Sequence, residues 1–485
     1  MQTPDLNVPM AEVYVIGSGP NGLSAAIVAA SAGARVVVIE GAGEIGGGTR
    51  SAHLTLPGFV HDICSAVHPL AVGSPFFSTL PLAQHGLEWV HPEAPLAHPM
   101  DDGTAVLLER SINETALGLG PDARAYRTLM TPLVENWANL SREVLAPLRL
   151  TRRPVMLGRF GLQALRPARA LAESIFSGRR ARALFAGIAA HSMLPLEKVG
   201  TSGFGLVLAA AGHAVGWPVP RGGAQRIADV LARHLASLGG QVVTSTPVAS
   251  LEQLPPSRVI LCDFGPYQLA NVAGSRLPRR FLEVLRRYRY GAAAFKVDYA
   301  LREPIPWKAP ECARAGTIHL GGSLEEIAAA ERAVWFGRCP ERPLVLVSEA
   351  TRFDASRAPK GRHIAWTYCH VPHGSSVDML SRLEAQIERF APGFRDVVLE
   401  RSIMNPEAFE RHNPNLIGGD INGGAADLFQ LFTRPTARLY GTPVEGLYLC
   451  SASTPPGGGV HGMCGYYATQ LAMRQVFGRR ITLPS

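Results

Sequence analysis

Short continuous apolar runs stand near both ends of the chain, with longer helical patterns between them. Glu12–Ile16 and Arg35–Ile39 are β-branched and read as buried strands, while Leu23–Ala32 between them is Ala-rich and helical in composition. His98–Arg110 has the Asp-Gly turn of a hairpin. Leu129, Leu133, Val134, Trp137 and Leu140 mark Pro121–Leu148 as helical, and the apolar stretch Ala183–Trp217 reads as helix around an interior cavity. From Pro218 to Leu251 the pattern is turn, amphipathic helix and strand, and Arg258–Phe264 is a further buried strand. Gly291–Pro306 alternates, with Phe295, Val297 and Tyr299 on one side and Lys296 and Asp298 on the other. Thr317–Val347 and Arg362–Val371 predict strands around a helix at Leu324–Ala330, and Ser376–Phe390 predicts an amphipathic helix. Gly446–Ala468 reads as strand, glycine turn and helix.

The most informative junction is Gly17-Ser-Gly19-Pro20-Asn21-Gly22, set between strand and helix. Gly17 suits the tight turn, Gly19 the approach of a pyrophosphate, and Gly22 the packing of helix on strand. The helix start offers free N–H groups and partial positive charge to phosphates. Glu40, closing the second strand, is placed to accept hydrogen bonds from a ribose. A second cluster, Gly41–Gly48 followed by Thr49, predicts another close backbone approach and hence a long ligand such as FAD.

Composition narrows the class. With 485 residues, 47% apolar and 18% charged, the chain has room for two to three domains of ordinary globular character. Its first residues have no signal-peptide pattern, and no apolar run reaches membrane-spanning length. Seven scattered cysteines, never spaced CxxC, argue against disulfides, structural zinc and dithiol chemistry, so a cytoplasmic setting is expected. Histidine spacing predicts no metal site. The segment 149–182 holds nine arginines, no lysine and one acid, Glu173, and so accounts for the whole formal charge of +8. One basic patch without a binding motif is no case for nucleic acid. Arginines interleaved with apolar residues and broken at Pro167 read either as a solvated cap helix or as a peripheral membrane contact.

The turn GSGPNGLSAA, Glu40, Gly47-Gly48-Thr49 and LPGFVHDICSAVHPL (56–70) together resemble the start of phytoene-desaturase-like flavoproteins, within the amine oxidase/phytoene dehydrogenase superfamily. The closer likeness is to the subgroup around pyridine nucleotide-disulfide oxidoreductase domain-containing protein 2. The resemblance implies an α/β fold: a Rossmann-type FAD-binding domain from 1–75, 218–291 and 440–485, and a discontinuous α+β substrate domain from 76–217 and 292–439. It places Gly47, Gly48 and Thr49 against FAD, Asp62 and Ser65 beside the flavin ring, and the backbone of Val248 at the adenine. Ser453, Gly459, Val460, His461, Gly462 and Met463 match the C-terminal FAD motif, with Ser453 where many flavoproteins carry Asp. From the residues alone Asp62 is equally a capping residue.

Catalytic candidates follow from the same resemblance. Lys296 is similar in context to the monoamine oxidase lysine that holds a water against flavin N5; a Lys296–Asp298 pair at the sheet edge is the other reading. His461 is either a proton-transfer group or a helix-start residue. Arg434 is the third catalytic candidate, and with Asp420 and Asn422 it is also a candidate for lining the site. The expected activity is hydride transfer between flavin and a C–C bond of an apolar substrate, with electrons passing to oxygen, a quinone or a loosely bound carrier, since no second GxGxxG occurs. Amine oxidation, redox-neutral double-bond isomerisation and a flavin-binding scaffold are the alternatives. Val460, where monoamine oxidases place an aromatic residue, weakens the amine reading.

Overall fold

The computed structural model describes residues 6–151 and 153–483; Arg152, counted in the basic segment, lies outside them. Twelve strands among the described residues build two principal sheets: β1 (Val13–Ile16), β2 (Val36–Ile39), β3 (Ala94–Pro99), β4 (Ala105–Leu108), β5 (Gln241–Val243), β6 (Val259–Cys262), β7 (Ala293–Leu301), β8 (Ala315–Leu320), β9 (Val345–Ser348), β10 (His363–Val371), β11 (Val398–Met404) and β12 (Leu447–Leu449). The helices that matter here are α1 (Pro20–Ser31), α2 (Pro154–Ala164), α3 (Ala168–Ile175), α4 (Arg179–Ala189), α5 (Thr201–Ala214), α6 (Gln225–Ser237), α7 (Leu324–Trp335) and α8 (Met463–Phe477).

The first sheet is wholly parallel, in the order β12-β6-β1-β2-β5. Its short runs are β-branched and buried on both faces, as a parallel sheet covered by helices requires. The chain direction of the crossovers reverses between β1 and β6. In such sheets a ligand binds at that reversal, beyond the carboxyl ends of the strands. Helix α1 starts three residues before the sequence pattern indicated, because Pro20 is already set for the first helical turn. Small side chains on α1 let it pack between the sheet and α8, and Asn21 through Ala30 are buried.

The second sheet has the order β11-β7-β10-β9-β8-β3-β4, antiparallel except where β8 meets β3. The expected hairpin at the Asp-Gly turn is β3–β4. One face is a dry apolar core of Phe295, Val297, Ile318, Val347 and the helix Leu380–Phe390. That helix starts later than Ser376 because Asp378 Oδ1 accepts the Leu380 N–H (2.9 Å) and fixes its first turn. The opposite face is mixed in character. Cross-strand register sets His319, Leu346, Tyr368 and Lys296 in one row, and Ser348, Trp366 and Asp298 in the next. Helices α4 and α5 pack over this side.

The arginine-rich segment is two short helices, α2 and α3, with Pro167 between them, running on into α4. Its later arginines are tied to the protein: Arg169 to Glu173 (2.9 Å) and Glu197 (3.2 Å), Arg179 to Asp102, and Arg182 to the Phe176 carbonyl (2.8 Å). Arg153 and Arg159 make no ion pair among the described residues. Around them Leu148, Leu150, Val155 and Leu162 are exposed.

Candidate functional site

A cavity of about 1160 Å³ begins at the reversal between β1 and β6 and continues under the second sheet. Its first part is built from backbone turns. Gly17, Gly19, Pro20 and Asn21 form one wall, Gly47, Gly48 and Thr49 a second, and Glu40 and Val248 one end. Ser453, Gly459 and Val460 bound the part nearest α8. Gly22 lies just behind the turn, where a methyl group would collide with the Gly17 carbonyl oxygen, so only glycine fits. The Glu40 carboxylate accepts from Ser18 N (2.9 Å), Ser18 Oγ (2.6 Å), Ala42 N (3.0 Å) and Arg50 Nη2 (3.2 Å). These bonds orient it along the cavity rim.

Asp263, directly after β6, faces the glycine turn across the switch point. Its Oδ2 accepts the Gly22 N–H at 2.9 Å, behind the cavity-facing part of the turn. Burial pushes its carboxyl well above the usual range, with the charge of Glu40 adding to the rise. The glycine turn, the helix start and the long cavity fit an adenine dinucleotide. The residue was visible in the sequence as the acid ending a strand, but without its partner in the α1 turn no role could be attached to it.

The second part of the cavity is apolar and aromatic, with Phe160, Phe204, Val207, Trp217, Leu346 and Trp366 in its walls. Thr317, Tyr368, His191 and His412 also reach it. Periodicity marks the strands and helices that carry these residues except His412, whose helix Pro406–His412 it does not predict; which faces meet the cavity depends on how the two sheets and the helices over them come together.

None of the three catalytic candidates lines the cavity. Lys296 is buried and ion-paired with Asp298. The pair is not at the sheet edge, because β11 covers β7 on its outer side. Asp298 Oδ1 also lies 3.7 Å from His61 Nδ1. Burial pushes the Asp298 carboxyl up to about 6, with Lys296 holding it back. His461 is fully buried, and its Nδ1 accepts the Met463 N–H (3.1 Å) at the start of α8. Burial lowers its imidazole to about 4, so it is a neutral capping group. Arg434 donates to the carbonyls of Asn422 (3.1 Å), Gly423 (2.8 Å) and Gly424 (3.3 Å), and thereby shapes a loop whose Asn422 does reach the cavity. Asp420 is turned into the same loop, accepting the Gly291 and Asn422 N–H groups at 2.6 and 2.7 Å.

Gly462 and Met463 lie behind the wall, Gly462 against Ser24 and Phe77. Asp62 takes its capping role: Oδ1 accepts from Ala224 N (2.7 Å) at the start of α6, and Oδ2 accepts from Arg357 Nη2 (2.9 Å). Ser65 does line the cavity, its Oγ donating to the Gly48 carbonyl (3.0 Å).

A nucleotide-type crevice in a parallel sheet, opening into an apolar chamber under a second sheet, is an arrangement this chain shares with the amine oxidase fold. Residues 15–75 match the model of the NAD(P)-binding Rossmann-like domain. Over 96% of this chain and 94% of the relative, the sequence is 27% identical to pyridine nucleotide-disulfide oxidoreductase domain-containing protein 2 of Mus musculus. It is 23% identical to a limonene dehydrogenase component of Castellaniella defragrans, again over 96% and 94% of the two chains. The cyclohexylamine oxidase of Brevibacterium oxydans superposes with a TM-score of 0.57 at 13% identity, covering 97% of this chain and 100% of that one. Over nearly its whole length the chain is similar in sequence to pyridine nucleotide-disulfide oxidoreductase domain-containing protein 2, and it shares its fold with the amine oxidases.

Proposed function

We propose that this protein is an FAD-dependent oxidoreductase that moves a hydride to or from a C–C bond of an apolar small molecule. The observation that carries the reading is the continuity of one cavity, from the glycine turns and Glu40 to the aromatic chamber around Phe204, Trp217 and Trp366. Gly17–Asn21 and the start of α1 would hold the pyrophosphate, Glu40 the ribose, Val248 the adenine, and Gly459 and Val460 the far end of the cofactor. When bound, the flavin supplies the hydride-accepting chemistry. The chain's own part is to orient the substrate between aromatic walls and keep water from it, which an apolar chamber does well. Electrons would leave to oxygen, a quinone or a loosely bound carrier. The likeness to a limonene dehydrogenase component supports an apolar substrate.

Amine oxidation is the second reading, favoured by the fold of cyclohexylamine oxidase. Against it stands Val460 in the cavity wall, where an aromatic cage would need a ring. Anaerobic absorbance spectra of the purified protein, titrated with polyenes, fatty acyl compounds and amines, separate the readings. Bleaching of a flavin band by an unsaturated or saturated hydrocarbon skeleton supports the first, and bleaching by amines alone supports the second. A colourless protein that takes up no added FAD would reject both.

A further inference from the structure

The even charge balance outside 149–182 conceals a second basic segment. Residues 276–289 carry Arg276, Arg279, Arg280, Arg286, Arg287 and Arg289 against one acid, Glu283. Arginine suits a helix, and Phe281 and Leu285 stand one turn apart, so the run folds as the helix Arg279–Arg286 with one buried edge. That edge packs against Leu269, Ala270 and Leu277, over the helix Pro266–Val272. All six arginines are exposed. Arg279 lies 3.6 Å from Glu283, and Arg289 lies 2.7 Å from Asp427. The side chains of Arg276, Arg280, Arg286 and Arg287 have no ion pair or hydrogen bond among the described residues. Arg280, Val284 and Arg287 follow one another at helical spacing, and Val284 is 46% exposed between the two guanidinium groups.

This face stands close to the cavity. The helix beneath it, Pro266–Val272, lines the cavity through Gln268 and Val272. Tyr288, between Arg287 and Arg289 in the chain, is buried, and its hydroxyl donates to the carbonyl of Gly423 (2.7 Å) in the cavity wall. The Tyr290 ring lies 5.4 Å from that of Tyr288, edge to face, and itself lines the cavity. Tyr288 and Tyr290 thus join the end of the arginine helix to the space where the cofactor would lie.

Unpaired cations on an exposed face are complementary to an acidic partner and steer its approach. A surface helix is convex and cannot enclose a small anion, so that partner is a macromolecule. Val284 alone falls short of the apolar anchors that a bilayer contact needs, in contrast to Leu148, Leu150, Val155 and Leu162 on the other basic segment. The proposed chemistry has a use for such a partner. A hydride taken from a C–C bond brings two electrons to the cofactor, and the chain has no CxxC dithiol to receive them. We propose that the face of Arg276, Arg280, Arg286 and Arg287 docks a small acidic one-electron carrier protein, which takes electrons from the reduced cofactor past Tyr288 and Tyr290. This rests on the flavin reading of the cavity and narrows its acceptor to a protein. For each hydride, two carriers docking in turn are reduced by one electron each, and the proton passes to solvent.

Calorimetry on the purified full chain tests the docking independently of flavin reduction, with acidic plastocyanin as the probe and basic cytochrome c as its opposite in charge. Plastocyanin should bind and cytochrome c should not, and raising salt from about 20 to about 200 mM should weaken binding about tenfold or more. Arg280→Glu with Arg287→Glu should also weaken it about tenfold or more, because like charges then meet. Arg153→Glu with Arg159→Glu, on the other basic segment, should leave it unchanged. The four side chains are exposed and without ion pairs among the described residues, so both double variants should fold, which circular dichroism checks. Failure of plastocyanin to bind, equal binding of cytochrome c, or equal losses in the two double variants would overturn the proposal. So would retention on anionic liposomes that disappears with Arg280→Glu and Arg287→Glu, which would make the occupant a membrane. Photoreduced protein should bleach the blue band of plastocyanin in the absence of oxygen, and docked plastocyanin that stays blue would reject the electron route. Flavin absorbance on the same samples keeps the readings apart. A colourless protein that docks plastocyanin loses the flavin reading and the electron route together, whereas a yellow one that ignores plastocyanin keeps the flavin reading and loses the docking face.

Discussion

Two carboxylates buried near the cavity are held in opposite senses. Asp298 is raised to about 6 by burial, against an unfolded value near 4, so between about pH 4 and 6 the folded state binds the extra proton and stability falls as pH rises. Asp62 is also pushed up by burial, but Arg357 and the Ser51 hydroxyl outweigh it and hold its carboxyl low, so its contribution is complete above about pH 4 and disappears on acidification. Urea unfolding across this range should therefore show Asp298→Asn flattening the decline between about pH 4 and 6 while leaving the acid limb unchanged. Lys296→Met should cost about 3–5 kcal/mol by stranding Asp298 as a buried charge, and Asp298→Asn added to it should restore most of that loss. Turnover that recovers with the second substitution would assign Lys296 to the fold; turnover that stays low would assign it to the chemistry. The sequence made the alternation of Lys296 and Asp298 plain, since a strand's period is two. It could not show that β11 closes over them, because that pairing joins residues about a hundred positions apart.

At the level of elements, the helix starts do most of the positioning. Gly22 and Asp263 fix α1, Asp62 fixes α6, and His461 fixes α8. Asp62→Ala should destabilise the protein by about 3–5 kcal/mol, since it removes the cap of α6 and leaves Arg357 buried without its partner. Chemical denaturation measures it, and a change below about 1 kcal/mol would mean that Arg357 finds water or another acceptor. The parallel strands and the glycine turns were legible because each is local: an apolar run, a turn and an Ala-rich helix, close together in the chain. The polar groups on β8 and β10 were not, because their common wall exists only after several strands pair in non-sequential order.

Across the whole molecule, the basic segment divides in two. Its later arginines serve the fold, while Arg149, Leu157, Phe160 and Leu165 reach the cavity, and Leu148, Leu150, Val155 and Leu162 stand exposed beside them. Phe429, whose neighbour Leu428 contributes to the same wall, is exposed as well. We propose this rim as the membrane-facing part of the segment, where an apolar substrate would enter. Liposomes containing anionic lipid should co-sediment the protein at low salt and release it at high salt, and Leu150→Asp with Val155→Asp should abolish retention. Equal recovery with neutral and anionic liposomes would return the segment to a solvated cap.

Helix α8 presses Gly465 so closely on α1 that a methyl group there would strike the Asn21 carbonyl oxygen, and β12 is the outermost member of the sheet that begins with β1. The opening turn therefore acquires these neighbours only from residues far along the chain. A chain cut short before Gly465 should therefore leave that turn without its packing partner and fail to hold a nucleotide, which dye-free binding measurements on such a truncation would check.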